Sequence, residues 1–413
     1  MVKIKAFNAL RPQNIFVEKV AALPYDVMNY EEAKRMTEGN PYSFLHVDRA
    51  EIDFNEVIDP YDPKVYEKAK ENLNNLINKD VFVKDGKPNI YIYRQIMNGR
   101  IQTGIVGCTA IDDYINGTIK KHEYTREDKE KDRINHVDSC NANTGPIFLT
   151  YKKNIEISNI IDNETKTIPL YNFTTEDEIT HIVWVIEKEE IIQKLTSLFE
   201  KVDSLYIADG HHRAAAAVKV GVNRRKEKIN YGNEEFNYFL SVLYPDKELK
   251  IFDYNRVVKD LNGLTLEELL NNISENFEID KLDNESTFKP SEKHTFGMYV
   301  ENSWYKLKAK NNTFNDKDAV ESLDVSILQN NLLSPVLGIK EPRKDKRIDF
   351  VGGIRGIEEL VERVRTDMKI AFSLYPTTID ELMRIADEGK VMPPKSTWFE
   401  PKIRSGIFIH TLD

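Results

Sequence analysis

Cysteine is nearly absent from this chain of 413 residues, which contains only Cys108 and Cys140. Two cysteines are too few for a disulfide framework, and they do not form a pair of metal ligands. The sequence also lacks a Walker A motif and any apolar run long enough to span a membrane. Met1 leads directly into VKIKAFNAL, without the apolar core of a signal peptide. We therefore expect a cytoplasmic protein that does not bind a membrane.

Positive charge is in deficit, because 58 Lys and Arg residues face 68 Asp and Glu residues, a net charge of −10. This balance disfavours nucleic acid and anionic membranes as partners. The hydrophobic share of 40% is ordinary for a globular protein. The chain is too long for one simple core, and its composition changes near residue 250. We therefore predict an α/β core in residues 1–250 and an α+β subdomain in residues 251–413.

The segment richest in chemistry is SLYIADGHHRAAAA, residues 204–217. An apolar β-type run stops at Asp209-Gly210, and an alanine-rich run typical of a helix follows two histidines and an arginine. This order predicts a strand, a tight turn and a helix, with Asp209 near the N-cap and Gly221 as the end of the helix.

The start of this helix is a candidate anion-binding site. First-turn amides and the helix macrodipole attract anions, and Gly210 permits a close approach of the backbone. Arg213 adds a planar donor fork that suits phosphate or carboxylate oxygens. Three basic or potentially basic groups at a helix N-terminus, His211, His212 and Arg213, require a compensating anion, and a bound phosphate is the simplest candidate.

The alternative is a surface helix that begins with polar residues. A metal site that uses both histidines is disfavoured, because adjacent helical residues face different directions.

Three local elements of the N-terminal third are predicted from their patterns. The turn signal Asn40-Pro41-Tyr42 predicts a strand at residues 43–47, and Asp62 to Asn78 has the spacing of an amphipathic helix. Two β-type runs between residues 90 and 111 flank Asn98-Gly99, the pair typical of a hairpin turn.

A second group of candidate residues lies on loops. Glu123 follows a short predicted strand within KKHEYT, residues 120–125, just before a charged helix. From the residues alone, a carboxylate among basic neighbours is typical of a solvated ion pair. Asp26 lies in the proline-fixed segment LPYDV, where an ordinary loop residue is the simpler interpretation. Asn143 belongs to the polar turn NANTGP, which either approaches a substrate or only forms a turn.

The segment MPPKSTWFEPKIRSG, residues 392–406, combines prolines, large aromatics and cations. Prolines lower the entropy cost of one fixed conformation. Such a segment could close over a nucleotide, with an aromatic ring against the base and Lys395 or Arg404 on phosphate. It could equally dock as a terminal strand, which the apolar run 406–410 favours.

These motifs resemble those of a known family. DGHHR is similar to the phosphate-binding turn of the ParB/sulfiredoxin-like superfamily, in particular of its free-serine kinases. The motifs RPQN, LPYDV, NPYSFLHV, KKHEYT, FDYNRVV and MPPKSTWFEPKIRSG resemble the bacterial and archaeal domain of unknown function 1015. The resemblance implies an α+β fold: a ParB/sulfiredoxin-like, α/β-like catalytic core with a mixed sheet in residues 1–250, elaborated by N-terminal strands. The α+β subdomain with a closing tail follows in residues 251–413.

The resemblance also implies a reaction, the transfer of a phosphoryl group from ATP or ADP to free L-serine, which gives O-phospho-L-serine. Glu123 then matches the catalytic base, and Asp209 would ligate Mg²⁺ or orient its waters. The residues and the resemblance together give the remaining candidates. For the nucleotide they are Gly210, His211, His212, Arg213, Lys395 and Arg404, and for the substrate they are His122, Asp26 and Asn143.

Three alternative functions follow from the same motifs. Sulfiredoxin chemistry requires a cysteine in the turn, where this chain has His211. A non-catalytic, ParB-like nucleotide-binding regulator would want a basic DNA-binding helix pair, which the acidic balance disfavours. A kinase or phosphohydrolase for another small hydroxyl metabolite agrees with every residue named above. A homodimer is also left open by the sequence.

Overall fold

The computed structural model describes residues 1–227, 232–282 and 287–413, which divide into two compact units. The first unit comprises Met1–Leu249 with Pro401–Asp413, and the second comprises Lys250–Glu400. The predicted C-terminal subdomain differs from the second unit, because Pro401–Asp413 belongs to the first. This tail pairs there by backbone hydrogen bonds, as between Ser405 and Ala22.

The strands of both units are numbered in chain order. They are β1 (Ile4–Lys5), β2 (Leu10–Pro12), β3 (Phe82–Lys84), β4 (Ile90–Met97), β5 (Arg100–Ala110), β6 (Ile119–Lys120), β7 (Ala142–Asn143), β8 (Ile147–Tyr151), β9 (Tyr171–Thr174), β10 (Thr180–Ile186), β11 (Leu205–Asp209), β12 (Tyr238–Pro245), β13 (Ile251–Phe252), β14 (Tyr254–Val258), β15 (Phe277–Lys281), β16 (Thr295–Val300), β17 (Ser303–Ala309), β18 (Ile348–Gly352), β19 (Ile370–Leu374), β20 (Trp398–Phe399) and β21 (His410–Thr411).

The α-helices are numbered in the same way. They are α1 (Val17–Val20), α2 (Tyr30–Met36), α3 (Leu45–Asp48), α4 (Pro63–Asn78), α5 (Ile111–Ile115), α6 (Glu127–Cys140), α7 (Ile155–Glu164), α8 (Glu189–Phe199), α9 (His211–Lys226), α10 (Leu266–Ser274), α11 (Asp324–Leu328), α12 (Glu358–Thr366) and α13 (Ile379–Asp387). Within the described ranges, none of the helices is long and apolar enough to cross a membrane.

The first unit is built on a mixed sheet with the strand order β6-β11-β8-β12-β5-β4-β10-β9, and β1 pairs with β5. β11 is parallel to β6 and antiparallel to β8, while β8 is parallel to β12. Apolar side chains such as Ile92, Leu149 and Ile207 form the core around it. The predicted α+β fold with a mixed sheet is confirmed. Because parallel strands end at the same edge, β6 and β11 deliver their following residues to one place, beside the start of β8.

Two local predictions in this unit are confirmed. β4 and β5 pair as the predicted hairpin, and Asn98 and Gly99 have φ angles of 51° and 74°, the positive values that a type I′ turn requires. The predicted amphipathic helix is α4, and the carboxylate of Asp62 accepts a hydrogen bond from the amide of Lys64 at its start.

The strand predicted for residues 43–47 is wrong, because the short helix α3 begins at Leu45. Ser43, Phe44, Leu45 and Val47 are buried, and His46 is half-buried. So short a run, buried at all but one position, has no period that separates a strand from a helical turn.

Helix α9 continues past Gly221, its predicted end, to Lys226. A Cβ at Gly221 would collide with the carbonyl oxygen of Phe236 and would lie 2.7 Å from Cδ1 of Ile111. Gly221 therefore serves the close packing of the helix and does not terminate it. The polar segment that follows lies partly outside the described residues.

Gly221→Ala is expected to lower the free energy of unfolding by about 1–3 kcal/mol, because the new methyl group overpacks this contact. The intrinsic preference of a helix for Ala, about 1 kcal/mol, acts in the opposite direction. Chemical denaturation measures the difference. Asn223→Ala, at an exposed position of the same helix, should change stability by less than about 0.5 kcal/mol. A Gly221→Ala protein as stable as the wild type would contradict the packing role.

The second unit is built on an antiparallel sheet with the order β15-β17-β16-β19-β14-β18. It buries a carboxyl group, Asp324, at the start of α11. Oδ1 accepts a hydrogen bond from the amide of His294 at 2.9 Å, whereas Oδ2 has no partner in the described part of the chain. Burial raises the pKa of Asp324 to about 7, and the amide hydrogen bond opposes this only in part.

Asp324→Asn is expected to stabilise the protein at pH 8 by about 1–4 kcal/mol and to have little effect at pH 4. The folded state holds a proton that the unfolded state releases above its pKa of 3.8, so this carboxyl group weakens the fold as pH rises toward 7. Denaturation at both pH values tests the expectation. The exposed Asp316 supplies the control, Asp316→Asn. An equal effect of Asp324→Asn at both pH values would contradict the titration of this group.

Candidate functional site

The candidate site lies where β11 ends and α9 begins. The predicted strand, turn and helix are confirmed, and Gly210 joins them with φ 91° and ψ 33°. This left-handed conformation strongly favours glycine. The guanidinium of Arg213 packs over the same glycine, since a Cβ there would lie 3.1 Å from Nε of Arg213. Any side chain at position 210 would therefore strain the turn and displace Arg213.

Glu123 reaches this turn through β6. Because β6 is parallel to β11, the residues after Lys120 pass the carboxyl end of β11. The rings of His122 and His211 meet edge to face, with centroids 4.5 Å apart. Oε2 of Glu123 lies 4.0 Å from Nδ1 of His211, and the Glu123 side chain is 40% exposed. The structure thus brings the predicted base and the predicted phosphate-binding turn together.

The two buried histidines are neutral groups at physiological pH. Burial lowers the pKa of His122 to about 4, although the charge of Asp209 opposes this. Burial, with His122 as neighbour, also lowers the pKa of His211 well below its usual value. Neither ring nitrogen of His122, nor Nε2 of His211, hydrogen-bonds to any described residue, although the Ile207 carbonyl lies close to His122. Since buried polar atoms are normally paired, these nitrogens fit a polar ligand.

His212 faces another direction. Its Nε2 accepts a hydrogen bond from the amide of Arg126 at 3.0 Å, so it contacts the residue that precedes α6. Burial lowers the pKa of His212, and the charge of Asp26 opposes this. The predicted substrate residue Asp26 is exposed and acts on the site through this charge.

Positive charge at the turn comes from Arg213 and Lys402. Nζ of Lys402 lies 3.3 Å from Oδ2 of Asp209, and only 9% of the lysine side chain is exposed. Burial alone would raise the pKa of Asp209, but Lys402 and Arg213 lower it to about 2. Asp209 is therefore an ionised carboxylate. Lys402 was missed by the sequence-based prediction, and its only signal is the basic tail in which it lies.

Arg213 keeps part of its donor fork for a ligand. Nη1 donates a hydrogen bond to the carbonyl of Pro146 at 2.6 Å. The buried Nε has no partner among residues 1–227, 232–282 and 287–413.

Asn143 lies beside Arg213 but has a structural contact. Both residues line a cavity of about 20 Å³, enough for about one water molecule. Oδ1 of Asn143 accepts a hydrogen bond from the amide of Leu240 at 3.2 Å and lies 3.2 Å from Nδ1 of His410. This side chain therefore fastens β12 to the tail.

The two other predicted phosphate ligands, Arg404 and Lys395, have contacts within their own units. Arg404 is buried, pairs with Asp177 and donates to Oγ1 of Thr175 at 3.3 Å, so it anchors the tail to the connection between β9 and β10. Lys395 belongs to the second unit, where Nζ lies 5.5 Å from the ring centroid of Tyr254.

Asp209 is the predicted magnesium ligand. The part of the chain that the structure describes contains no group of three or more His, Cys, Asp or Glu side chains that could hold a metal ion. Mg²⁺ in nucleotide-dependent enzymes is usually bound by one or two carboxylates together with substrate phosphates and water. The low pKa of Asp209 supplies one such carboxylate, so the residue fits an ion that arrives with a nucleotide.

Comparison with known proteins gives a family and distant structural likenesses. A family model described as "Protein of unknown function (DUF1015)" matches residues 4–326. No curated protein sequence matches the chain. A conserved hypothetical protein from Pyrococcus furiosus is similar in structure, with a TM-score of 0.36 and 15% identity over 74% of this chain and 94% of that chain. A variant of a free serine kinase in complex with ADP has a TM-score of 0.38 and 15% identity over 76% of this chain and 95% of that chain. A free serine kinase in complex with AMP has a TM-score of 0.37 and 15% identity over 74% of this chain and 91% of that chain. Since these likenesses are distant, the chemistry of the site must be judged from its own residues.

Proposed function

The chain belongs to the DUF1015 family of proteins of unknown function, and we propose that it is a small-molecule kinase. It would transfer a phosphoryl group from ATP or ADP to the hydroxyl group of free L-serine. The observation that carries this proposal is the position of Glu123 beside the turn that contains Asp209 and Arg213. Oε2 of Glu123 lies 4.0 Å from Nδ1 of His211, which belongs to the same turn. Phosphoryl transfer requires positioned phosphate donors, a metal ligand and a base near the acceptor hydroxyl. The site supplies one candidate for each.

The phosphate donors lie at the start of α9. The first-turn amides of a helix are not used within it, and the macrodipole adds to their attraction for an anion. The buried Nε of Arg213 and Nε2 of His211 have no partner in the described ranges. A neutral imidazole can donate one hydrogen bond, so His211 would orient a phosphate oxygen while Arg213 supplies the charge.

Glu123 is the proposed general base. Its side chain is 40% exposed, so an acceptor hydroxyl can reach it, and it would take the hydroxyl proton as the phosphoryl group is transferred. Asp209 would hold Mg²⁺, which when bound neutralises charge on the transferring phosphoryl group. His122 stands against His211 and would fix the orientation of that ring.

Free L-serine is proposed as the acceptor because the DGHHR turn and the pair His122-Glu123 resemble the corresponding features of free-serine kinases. His122 and Asp26 remain the candidates for contact with it. Arg404 is not assigned to the nucleotide, because its guanidinium is engaged with Asp177.

The test is an incubation of the purified protein with Mg²⁺, L-serine and either ATP or ADP, followed by detection of O-phosphoserine. We expect phosphoserine with at least one of the two nucleotides. Turnover only with another hydroxyl compound would refute serine as the acceptor and retain the kinase. Nucleotide binding without any turnover, over a panel of small hydroxyl metabolites, would instead indicate a regulatory protein.

A further inference from the structure

We propose that Lys402 is a phosphate-binding residue of this site, supplied by the C-terminal tail. This inference rests on the proposed binding of a nucleotide at the start of α9. Lys402 lies outside the segment that the family model matches, residues 4–326. Its ammonium group nevertheless lies 3.3 Å from the carboxylate of Asp209, the residue that leads into the phosphate-binding turn.

The backbone of Lys402 is held by a buried polar network. Nε2 of Gln95 donates a hydrogen bond to the carbonyl of Lys402 at 2.8 Å. Nε2 of Gln102 donates to Oε1 of Gln95 at 2.9 Å and to the carbonyl of Pro401 at 3.3 Å. The hydroxyl of Tyr244 donates to the same Oε1 at 3.1 Å. Because these three side chains come from the central strands β4, β5 and β12, the lysine is fixed relative to the main sheet.

More positive charge surrounds Asp209 than one ion pair with its carboxylate requires. Lys402 and Arg213 both act on this one carboxylate, and the N-terminus of α9 adds partial positive charge. A buried ion pair contributes little to stability, because removing both ions from water offsets their attraction. Cations that gather at a helix N-terminus are unfavourable without an anion. A phosphate group at the turn would balance the positive charge that the single carboxylate of Asp209 does not.

The phosphate would accept a hydrogen bond from Nζ of Lys402 while the ammonium group stays beside Asp209. An ammonium group has three donors, so it can serve the carboxylate and a phosphate oxygen together. The tail therefore completes the site and does more than stabilise the first unit.

The experiment measures the affinities of ADP and adenosine by calorimetry in EDTA, so that metal binding to Asp209 has no influence. Lys402→Met is expected to lower the affinity for ADP by about 10-fold or more, which is the effect of losing one charge-assisted hydrogen bond. The affinity for adenosine should fall by less than about twofold. Lys402→Arg keeps the charge and should retain most of the ADP affinity. Lys87→Met, at an exposed lysine of the first unit, is the matched control and should change neither affinity.

A double variant, Asp209→Asn with Lys402→Met, distinguishes direct contact of Lys402 with the phosphate from compensation of the Asp209 charge. It also removes the carboxylate that Lys402→Met would leave without its lysine, so it serves if Lys402→Met fails to fold. We expect its ADP affinity to stay low. Recovery to the wild-type value would mean that Lys402 only screens Asp209, and equal losses for ADP and adenosine would mean a purely structural role. Either result overturns the inference alone. A wild-type protein that binds ADP neither in EDTA nor with Mg²⁺ would overturn the proposed function as well.

Discussion

Glu123→Gln is expected to lower kcat by roughly 10²–10⁴-fold, the usual contribution of a general base. The amide keeps the size of the side chain but cannot accept the hydroxyl proton. Nucleotide affinity should change by less than about threefold, because the carboxylate is required only in the transition state. Steady-state phosphoserine formation and ADP calorimetry measure the two quantities on the same preparation.

Glu127→Gln is the matched control for this variant. Glu127 is an exposed acid in the first turn of α6, close in sequence to Glu123, and the same substitution there should leave both kcat and affinity unchanged. If Glu123→Gln instead lost nucleotide affinity and retained kcat, Glu123 would be a binding residue, and the base would have to be sought elsewhere.

The local part of the site was predictable because its causes are local. A β-type run, one glycine and an alanine-rich run determine the strand, the turn at Gly210 and the start of α9, and the structure has each of them. The same patterns failed where packing decides. Gly221 is required by its contact with Phe236, and residues 43–47 are buried at every position except His46.

The assembly of the site was not visible in the residue pattern. Glu123 and His211 meet because the two-residue strand β6 is parallel to β11, and so short a strand carries little signal of its partner. The family resemblance supplied this pairing instead. Lys402 was missed for a related reason. Lys395 and Arg404 in the same tail are also basic, and only the buried network of Gln95 and Gln102 distinguishes Lys402 from them.

The charge state of the site was also beyond the sequence. Two histidines and an arginine indicate three basic groups, but burial lowers the pKa of His211 well below its usual value. In the structure, Arg213 therefore supplies positive charge, whereas the neutral ring of His211 supplies only hydrogen bonding. This division predicts that the arginine matters most for polyanionic ligands.

Arg213→Ala is accordingly expected to weaken ADP binding by roughly 10- to 150-fold, which corresponds to about 1.5–3 kcal/mol for a hydrogen bond to a charged group. Arg213→Lys should recover only part of the loss, because lysine keeps the charge but not the planar fork. The loss should shrink as salt is added, since screening already weakens a partly exposed charge. ADP titrations at low and high ionic strength measure all three effects.

Arg224→Ala tests whether such a loss is specific to the start of α9. Arg224 lies further along the same helix, and its guanidinium donates hydrogen bonds to Asn141 and Asp138. Arg224→Ala therefore removes a hydrogen-bonded arginine from α9, as Arg213→Ala does, but at a distance from the turn. We expect ADP affinity to remain within about twofold of the wild-type value, because the macrodipole and the unpaired amides act only near the first turn. If Arg213→Ala and Arg224→Ala weakened ADP equally, the effect would come from damage to the helix, and the turn at Gly210 would lose its claim to be the phosphate site.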